Sequence, residues 1–235
     1  MYLSTYINNR MARNIVIIGD SWSISERYGY VEGYPPFEYE LMNSHTNVYA
    51  RGHGGSNNLY ELYQFDYFLT NTATKLKIDH VIWFHTELMR DIYCLGNDYG
   101  HMTLDEYLDR IAEITYSVAQ SIHLKHPKMK WTIIGGHEPI VRRKELLNFA
   151  TYMIEDWRSE LLGQKMPYAN FLGHLGHLEK NIKSIGVGRI EEEIAKRDTI
   201  MKAGEECTDL FYDGIHPNSK AYNMLAKRLR KELKF

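Results

Sequence analysis

The chain has 235 residues, of which 44% are hydrophobic and 25% are charged, so it can bury a substantial apolar core and does not have the composition of a disordered protein. Its formal net charge is −2 and its basic residues are scattered, which excludes the electrostatic pattern of a nucleic-acid-binding protein. We therefore expect a single domain spanning residues 1–235, without a nucleic-acid partner.

The cysteine content and the amino-terminal segment bear on where the protein works. Cys94 and Cys207 are too few for a disulfide framework and lack the spacing of a zinc site, so a reducing compartment fits best. Residues 1–14 contain no continuous apolar segment, and no apolar run elsewhere is long enough to cross a bilayer. We expect a cytoplasmic protein with no membrane partner.

The first strong structural signal is the apolar run Ile15–Ile18, which predicts a strand buried on both faces of a parallel sheet, although a buried helical turn is an alternative. Gly19 ends the run, and Asp20 and Ser21 follow it. Open α/β sheets place their reactive groups at this carboxyl end of a strand. The simpler interpretation is that Asp20, Ser21 and Ser23 cap the next helix.

A long loop is predicted over residues 24–46, because Pro35 and Pro36 interrupt any regular helix there. The segment is rich in tyrosine, and a loop of this length beside a reactive serine is often functional. Its aromatic side chains are suited to forming a wall for an apolar or sugar-like ligand. A surface loop packed on its own tyrosines explains the same composition equally well.

A second strand is predicted at 47–50, and the glycine-rich segment 51–58 follows it. In such a turn the backbone N–H groups can face an anion without side chains in the way. The turn lacks the lysine of a phosphate-binding loop and does not match a dinucleotide fingerprint. Stabilisation of a developing oxyanion is therefore favoured over nucleotide binding.

The rest of the chain alternates between strand and helix patterns, which predicts an α/β fold with a parallel sheet and crossover helices. Further strands are predicted at 80–85, 130–135 and, as the fifth, 168–172. Helices are predicted after Asn58, after a capping box formed by Thr103 and Glu106, over 142–162, over 189–201, and after Asn218.

Near the carboxyl end, Asp213 and His216 lie three residues apart in a segment that also contains Gly214 and Pro217. Such a loop can hold a carboxylate against an imidazole. A serine hydroxyl becomes an effective nucleophile only when an oriented base removes its proton. Ser21, His216 and Asp213 are therefore candidates for a single catalytic site.

These motifs, in this order, resemble those of the GDSL or SGNH hydrolases: Gly19-Asp20-Ser21, then 52–57 (GHGGSN), then 213–218 (DGIHPN). The resemblance implies a three-layer α/β/α fold, flavodoxin-like, with a central five-stranded parallel sheet. It also implies ester hydrolysis through an acyl-enzyme, with Ser21 as nucleophile, His216 as base and Asp213 as the acid that orients it. No cofactor or metal ion is expected.

The resemblance further implies an oxyanion hole formed by the N–H groups of Ser21 and of a glycine that corresponds to Gly54, together with an asparagine side chain. The third motif departs from this pattern, because Glu87 stands where the asparagine is expected and His85 where a glycine is expected. An ionised carboxylate cannot donate a hydrogen bond and would repel a developing oxyanion. The segment 95–98 (LGND) lies too far beyond the strand to replace it.

Two explanations of this departure remain open. In the first, Glu87 pairs with Arg51 or Arg90 as part of the scaffold, and Asn57 or Asn58 supplies the third donor. In the second, the oxyanion hole has two donors, which costs about a hundred- to a thousandfold in rate. We favour the scaffold role with Asn57 as donor. Glu87→Asn should then lower the melting temperature and leave the rate equal or lower.

Several other polar residues are candidates for the site. Asp20, Trp22 and His53 adjoin the proposed site in sequence, and His137 with Glu138 ends a strand at the same edge, where the pair either touches substrate or caps a helix. His174 and His177 lack the pattern of a metal site. Arg142 and Arg143 are typical of a solvated helix start, with a minor alternative role in contacting an acidic substrate.

Three functions are compatible with these motifs. The favoured one is a serine ester hydrolase acting on small acyl esters, including acetyl groups on a carbohydrate, so that the partner is a small-molecule or glycan ester. A second is a binding protein that has kept the fold and lost catalysis through the change at Glu87. A third is acyl transfer to an acceptor other than water.

Overall fold

The computed structural model describes residues 12–23, 31–43, 45–72, 76–91, 102–136, 138–170 and 187–234. Within these ranges, five parallel strands form one sheet in the order β2-β1-β3-β4-β5. The strands are β1 (Arg13–Gly19), β2 (Thr46–Ala50), β3 (His80–His85), β4 (Lys130–Gly135) and β5 (Tyr152–Ile154). The prediction of a central five-stranded parallel sheet is confirmed.

Helices cover both faces of this sheet. They are α1 (Phe37–Leu41), α2 (Asn58–Tyr67), α3 (Leu104–Lys125), α4 (Trp157–Leu162), α5 (Val187–Glu206) and α6 (Ser219–Leu233). Short 3₁₀ turns lie at Ser21–Ser23, Leu88–Asp91 and Lys144–Leu147. Among the residues described, no helix has the length and apolarity to span a membrane.

Alternate residues of the central strands point to opposite layers, which produces two cores. Val16 and Ile18 of β1 pack with residues of α2 and α3, such as Leu62 and Leu108. Ile15 and Ile17 pack on the opposite face, with residues of α1 and α6. This alternation explains why β1 is apolar at every position from Ile15 to Ile18, and it establishes the predicted three-layer α/β/α arrangement.

Several helix boundaries follow from local capping. The predicted capping box at the start of α3 is present, since Thr103 and Glu106 exchange side-chain to backbone hydrogen bonds. Asn218 caps α6 as predicted, accepting from the N–H groups of Lys220 and Ala221. The predicted helix over 189–201 lies within α5.

The prediction for 142–162 is wrong. This segment contains a 3₁₀ turn, the three-residue strand β5 and the short helix α4, rather than one continuous helix. The fifth strand is therefore β5 and not 168–172, of which residues 168–170 are described and are not a strand. β5 is an edge strand that pairs only with β4, and its three residues are too few to show an apolar period.

Candidate active site

The turn that carries Ser21 begins directly after β1, at the carboxyl end of the sheet. Gly19 has a φ of +134°, and a side chain there would meet the carbonyl oxygen of Phe84 in β3 at 2.5 Å. Only glycine tolerates this combination of backbone angle and close approach. The chain therefore turns sharply out of the sheet, and Ser21 lies at the edge where β1 and β3 end.

Asp20 holds the turn together from within. Its Oδ1 accepts from the N–H of Trp22 at 3.0 Å, and its backbone oxygen accepts from the Ser23 hydroxyl at 2.7 Å. Oδ2 accepts from the Thr86 hydroxyl at 2.7 Å, which joins the turn to the segment after β3. Because Asp20 is fully buried, its carboxylate is a structural anchor rather than a group that meets substrate.

Ser21, His216 and Asp213 lie in hydrogen-bond contact. The Nε2 atom of His216 is 3.0 Å from Ser21 Oγ, and its Nδ1 atom is 2.7 Å from Asp213 Oδ2. This arrangement fixes the proton on Nδ1 and directs the lone pair of Nε2 to the hydroxyl. The sequence motifs at the two ends of the chain thus meet with the geometry of a nucleophile, a base and an orienting carboxylate.

Asp213 is held in its ionised form by the turn that contains it. Burial alone would raise the pKa of Asp213, but hydrogen bonds from the backbone N–H and imidazole of His216 and from the Ile215 N–H hold it below its ordinary value. A carboxylate that remains ionised at neutral pH can orient the imidazole and stabilise an imidazolium.

The glycine-rich turn packs against the Ser21 turn through Gly52. A side chain at Gly52 would meet Ser23 Oγ at 1.6 Å and the Gly19 carbonyl oxygen at 2.7 Å, and the next N–H, that of His53, donates to the same carbonyl at 2.9 Å. Gly54, the glycine predicted to donate to an oxyanion, lies exposed at the outer part of the turn. Gly54 as donor stays a prediction, and the packing of Gly52 against the Ser21 turn makes Gly52 a second candidate.

The backbone N–H groups of Ser21 and Gly52 belong to the two turns that pack together. Among the residues described, none accepts a hydrogen bond from the backbone N–H of Ser21 or of Gly52. The neighbouring N–H groups of Trp22 and Ser23 both donate to Asp20. The arrangement can therefore present two backbone donors to an oxygen beside Ser21.

The two asparagines considered as third donors have different surroundings. Asn58 is buried and fully engaged, because its amide donates to the Thr86 carbonyl and to Asp91, while its oxygen accepts from the Thr86 N–H. Asn58 is therefore excluded as an oxyanion donor. Asn57 caps α2 through its oxygen, which accepts from the Tyr60 N–H at 2.7 Å. A donor role for Asn57 stays a prediction.

Glu87 forms an ion pair with Arg90. The Arg90 Nε contacts Glu87 Oε2, and Arg90 Nη1 lies 3.5 Å from Asp20 Oδ2 and 3.4 Å from the Ser56 carbonyl oxygen. Glu87 is 1% exposed, so this cation balances the charge of a buried carboxylate. The alternative partner, Arg51, instead lies over the Phe68 ring, 4.2 Å from its centroid.

Trp22 and His53 adjoin the site in sequence, but their side chains point elsewhere. Trp22 is fully buried and contacts Trp157 edge-on, at 5.6 Å between ring centroids. The His53 imidazole pairs with the buried Glu61 at 2.9 Å and borders a cavity of about 160 Å³ behind the glycine-rich turn. Neither Ser21 nor His216 lines that cavity, so it is separate from the candidate active site.

Glu138 follows β4 at this edge of the sheet, and of its two predicted roles the structure bears on the helix cap, while contact with substrate stays a prediction. Its carboxylate accepts from the Leu88 N–H at 2.6 Å and from the Tyr168 hydroxyl at 2.5 Å, and it does not cap a helix. Arg142 likewise belongs to the scaffold, since it pairs with Asp105 and Asp109 of α3. His137, His174 and His177 lie outside the described residues.

The comparisons with known proteins give structural likenesses only. No protein-family model and no curated protein matches the chain. Similar solved structures include a carbohydrate esterase with 12% identity and a TM-score of 0.47, for which the match covers 94% of this chain and 64% of the other. A protein from Parabacteroides merdae described as a GDSL-like lipase has 11% identity and a TM-score of 0.45, covering 94% of this chain and 95% of the other.

A third similar structure is a catalytic mutant of an acetylxylan esterase from Geobacillus stearothermophilus. It has 12% identity and a TM-score of 0.40, and the match covers 95% of this chain and 94% of the other. This chain thus spans slightly less than two thirds of the carbohydrate esterase, at 64%, and nearly the whole of the other two structures. In structure it is similar to proteins described as esterases and GDSL-like lipases.

We predict that Glu87→Asn lowers the free energy of unfolding by about 3 kcal/mol, because the partly buried Arg90 would lose its contact with Glu87 and keep only the longer one to Asp20, at 3.5 Å. The figure is at the low end for a broken buried pair, since the Arg90 side chain keeps 19% exposure. Urea unfolding of Glu87→Asn, Arg90→Met and the double variant measures the coupling. Losses in the single variants that simply add in the double variant would contradict the pairing.

We also predict a pH dependence of stability that originates at Glu138. Burial raises the pKa of Glu138 to about 8 despite hydrogen bonds from Tyr168 and the Leu88 N–H, against an ordinary value of 4.5. Between these values the folded protein keeps a proton that the unfolded chain has lost, so stability falls as pH rises from about 4.5 to about 8.

Glu138→Gln should flatten this decline, as measured by urea unfolding at several pH values between 5 and 8. The readout is the difference in slope between Glu138→Gln and wild type, because other buried groups also contribute: burial raises the pKa of Asp91 to about 7 and lowers the pKa of His80 to about 4 and of His85 to about 3, and these shifts act on the slope with opposite signs. Glu145→Gln is the matched control, since Glu145 is exposed and should leave the slope unchanged. An unaltered slope in Glu138→Gln would show that Glu138 is ionised in the folded state.

Proposed function

We propose that this protein is a serine ester hydrolase that works through an acyl-enzyme. The observation that carries the proposal is the contact of Ser21 Oγ with His216 Nε2 at 3.0 Å, together with that of His216 Nδ1 with Asp213 at 2.7 Å. These are distances at which a hydroxyl proton passes to an imidazole as the oxygen attacks a carbonyl carbon.

In the proposed mechanism, His216 Nε2 takes the proton of Ser21 as Oγ bonds to the ester carbonyl carbon. The carbonyl oxygen becomes an oxyanion and accepts from the backbone N–H groups of Ser21 and Gly52. His216 then gives its proton to the leaving alcohol as the carbon–oxygen bond breaks, which leaves the acyl group on Ser21. Water, activated by the same imidazole, releases the acid and restores the free serine.

The Glu87–Arg90 pair supports catalysis over a purely binding role. The objection to catalysis was that an ionised Glu87 would repel the oxyanion. Arg90 contacts the Glu87 carboxylate and also lies 3.5 Å from Asp20, so a positive charge accompanies the carboxylates next to the Ser21 turn. We infer that Glu87 is a structural replacement of the expected asparagine and leaves a hole based on two backbone donors.

For the substrate, we propose small acyl esters, including acetyl esters of carbohydrates. The nucleophile is recessed, since Ser21 is only 6% exposed. A recessed hydroxyl between two backbone turns is easier to reach for a short acyl group than for a bulky one. Transfer to an acceptor other than water uses the same acyl-enzyme and is distinguished by analysing the products formed with added alcohols.

The proposal is tested by hydrolysis of p-nitrophenyl acetate and butyrate. Ser21→Ala and His216→Ala should each lower kcat by about a thousandfold or more, because the nucleophile and the base act as a unit. Ser23→Ala is the matched control, since Ser23 lies in the same turn and donates its hydroxyl to Asp20. We expect this control to stay within a fewfold of the wild-type rate.

A fluorophosphonate probe followed by peptide mass spectrometry provides the second measurement. The wild-type protein should be modified at Ser21, and His216→Ala should react far more slowly. Unchanged hydrolysis in Ser21→Ala would refute the assignment. A folded wild-type protein that neither hydrolyses the esters nor reacts with the probe would favour the binding protein.

The choice of Gly52 as oxyanion donor predicts a spectroscopic difference. In protein labelled with ¹⁵N-glycine, phosphonylation of Ser21 should shift the Gly52 amide signal more than that of any other glycine, because its N–H would donate to the phosphoryl oxygen. Gly54→Ala identifies the Gly54 signal by its loss. A larger shift at Gly54 than at Gly52 would restore Gly54 as the donor.

A further inference from the structure

Arg158, in the first turn of α4, is a buried cation that the proposed mechanism does not use. Its residue exposure is 3%. Among the residues described, no carboxylate lies within ion-pair distance of it, and its Nε and Nη1 atoms have no hydrogen-bond partner. Burial lowers the pKa of Arg158 to about 10, so it stays charged at neutral pH. Burying a charge away from a carboxylate costs folding free energy, so a role other than ion pairing has to account for Arg158 at this position.

Among the described residues, the Arg158 side chain donates its hydrogen bonds to the turn between Asp213 and His216. Its Nη2 donates to the Gly214 carbonyl at 2.7 Å and to the Ile215 carbonyl at 3.1 Å. Gly214 and Ile215 are the two residues between the base and its orienting acid. Hydrogen bonds from a charged donor are stronger than neutral ones, and burial strengthens them further.

The guanidinium also contacts the side of the site that carries the nucleophile. Its central carbon lies 5.5 Å from the ring centroid of Trp22, the residue after Ser21, and 5.4 Å from that of Phe211. Both distances are within the range of a cation–π interaction. Arg158 therefore lies between the turn of Ser21 and the turn of His216.

The contacts within the 213–216 turn cannot set its distance from Ser21. Asp213 accepts from the N–H groups of Ile215 and His216, and Tyr212 donates its N–H to the His216 carbonyl. These hydrogen bonds shape the turn and orient the imidazole. The donor and the acceptor of each bond belong to residues 212–216, so the bonds do not connect the turn to the rest of the protein. Contacts with other parts of the chain must therefore hold the turn next to Ser21. Arg158 of α4 supplies such contacts as hydrogen bonds, which are directional.

A steric contact also reaches the same turn from α5. Gly204 of α5 packs so closely on Gly214 that a side chain at Gly204 would come within 1.9 Å of the Gly214 carbonyl oxygen. This contact is steric, so it limits how far the turn can move in one direction. It does not pull the turn toward the nucleophile, as a pair of charged hydrogen bonds can.

We propose that Arg158 is a positioning residue that holds the Asp213–His216 turn at the separation from Ser21 that proton transfer requires. The proposal rests on the proposed hydrolase function, and it gives the buried guanidinium a role in the reaction without contact to substrate. A displacement of about 1 Å between reacting groups costs on the order of a hundredfold in rate.

The kinetic test compares Arg158→Met, Arg158→Lys and the control Arg228→Met. Arg228 contacts Glu160 and Tyr152 from the solvent side of α4, so its loss should leave the rate within about twofold of wild type. For Arg158→Met we expect kcat to fall about a hundredfold with KM nearly unchanged. Arg158→Lys keeps the charge and one donor, so it should recover part of this loss.

A readout that does not depend on activity separates this inference from the proposed function. The ¹⁵N shift of His216 Nε2 reports its contact with the Ser21 hydroxyl, and Ser21→Ala gives the value without that contact. In Arg158→Met the Nε2 shift should move to the Ser21→Ala value, while the downfield Nδ1 proton bonded to Asp213 should persist. If Arg158→Met does not fold, Arg158→Lys provides the same comparison with an intermediate shift.

The outcomes distinguish the two ideas. A wild-type Nε2 shift in a folded Arg158 variant would overturn the positioning role, whatever the activity. A rise in KM at constant kcat, or an equal loss of rate in Arg228→Met, would also overturn it. If the esters are not hydrolysed but the Nε2 shift moves as expected, the function proposal fails and the positioning inference stands.

Discussion

The structure around the candidate site depends on one buried carboxylate, that of Asp20. Its two oxygens accept from the Trp22 N–H and the Thr86 hydroxyl, so it joins the turn after β1 to the segment after β3. Burying a charge is tolerable only where donors replace water, and here they are supplied by both strand ends and by the nearby Arg90. These hydrogen bonds hold the backbone between Gly19 and Ser23 in one turn, and this turn places Ser21 at the edge of the sheet.

Much of the fold could be predicted, because its signals are local. The run Ile15–Ile18 is apolar since β1 is buried on both faces, and caps at Thr103 and Asn218 satisfy the first N–H groups of α3 and α6. The strand β5 could not be found in this way. It is three residues long and pairs on one side only, so its identity comes from the register with β4 and not from its own sequence.

In the candidate site, too, features that a short sequence motif signals could be predicted, and features that arise only from packing between residues far apart in sequence could not. The contact among Ser21, His216 and Asp213 could be predicted because each of the two motifs carries its own turn geometry. For Glu87 the sequence left Arg51 and Arg90 open as partners, and the structure has Arg90, its neighbour on the same turn. Arg158 could not be predicted, since nothing in a Trp-Arg-Ser segment indicates that the guanidinium reaches carbonyls 56 and 57 residues away. Gly54 corresponds by position to the glycine of the related motif, and the sequence alone cannot show that Gly52 is the glycine that packs on Ser23.

The separation of Ser21 and His216 has a consequence for how the chain is made. The two residues are 195 positions apart, and all five strands lie between them or include the residues just before Ser21, so every strand of the sheet has been synthesised before the imidazole can meet the hydroxyl. Until then Ser21 is an ordinary, unreactive alcohol. Under the proposed mechanism, a ribosome-bound or partly folded chain therefore carries no activated nucleophile, and reactivity at Ser21 would appear only once the two turns have met.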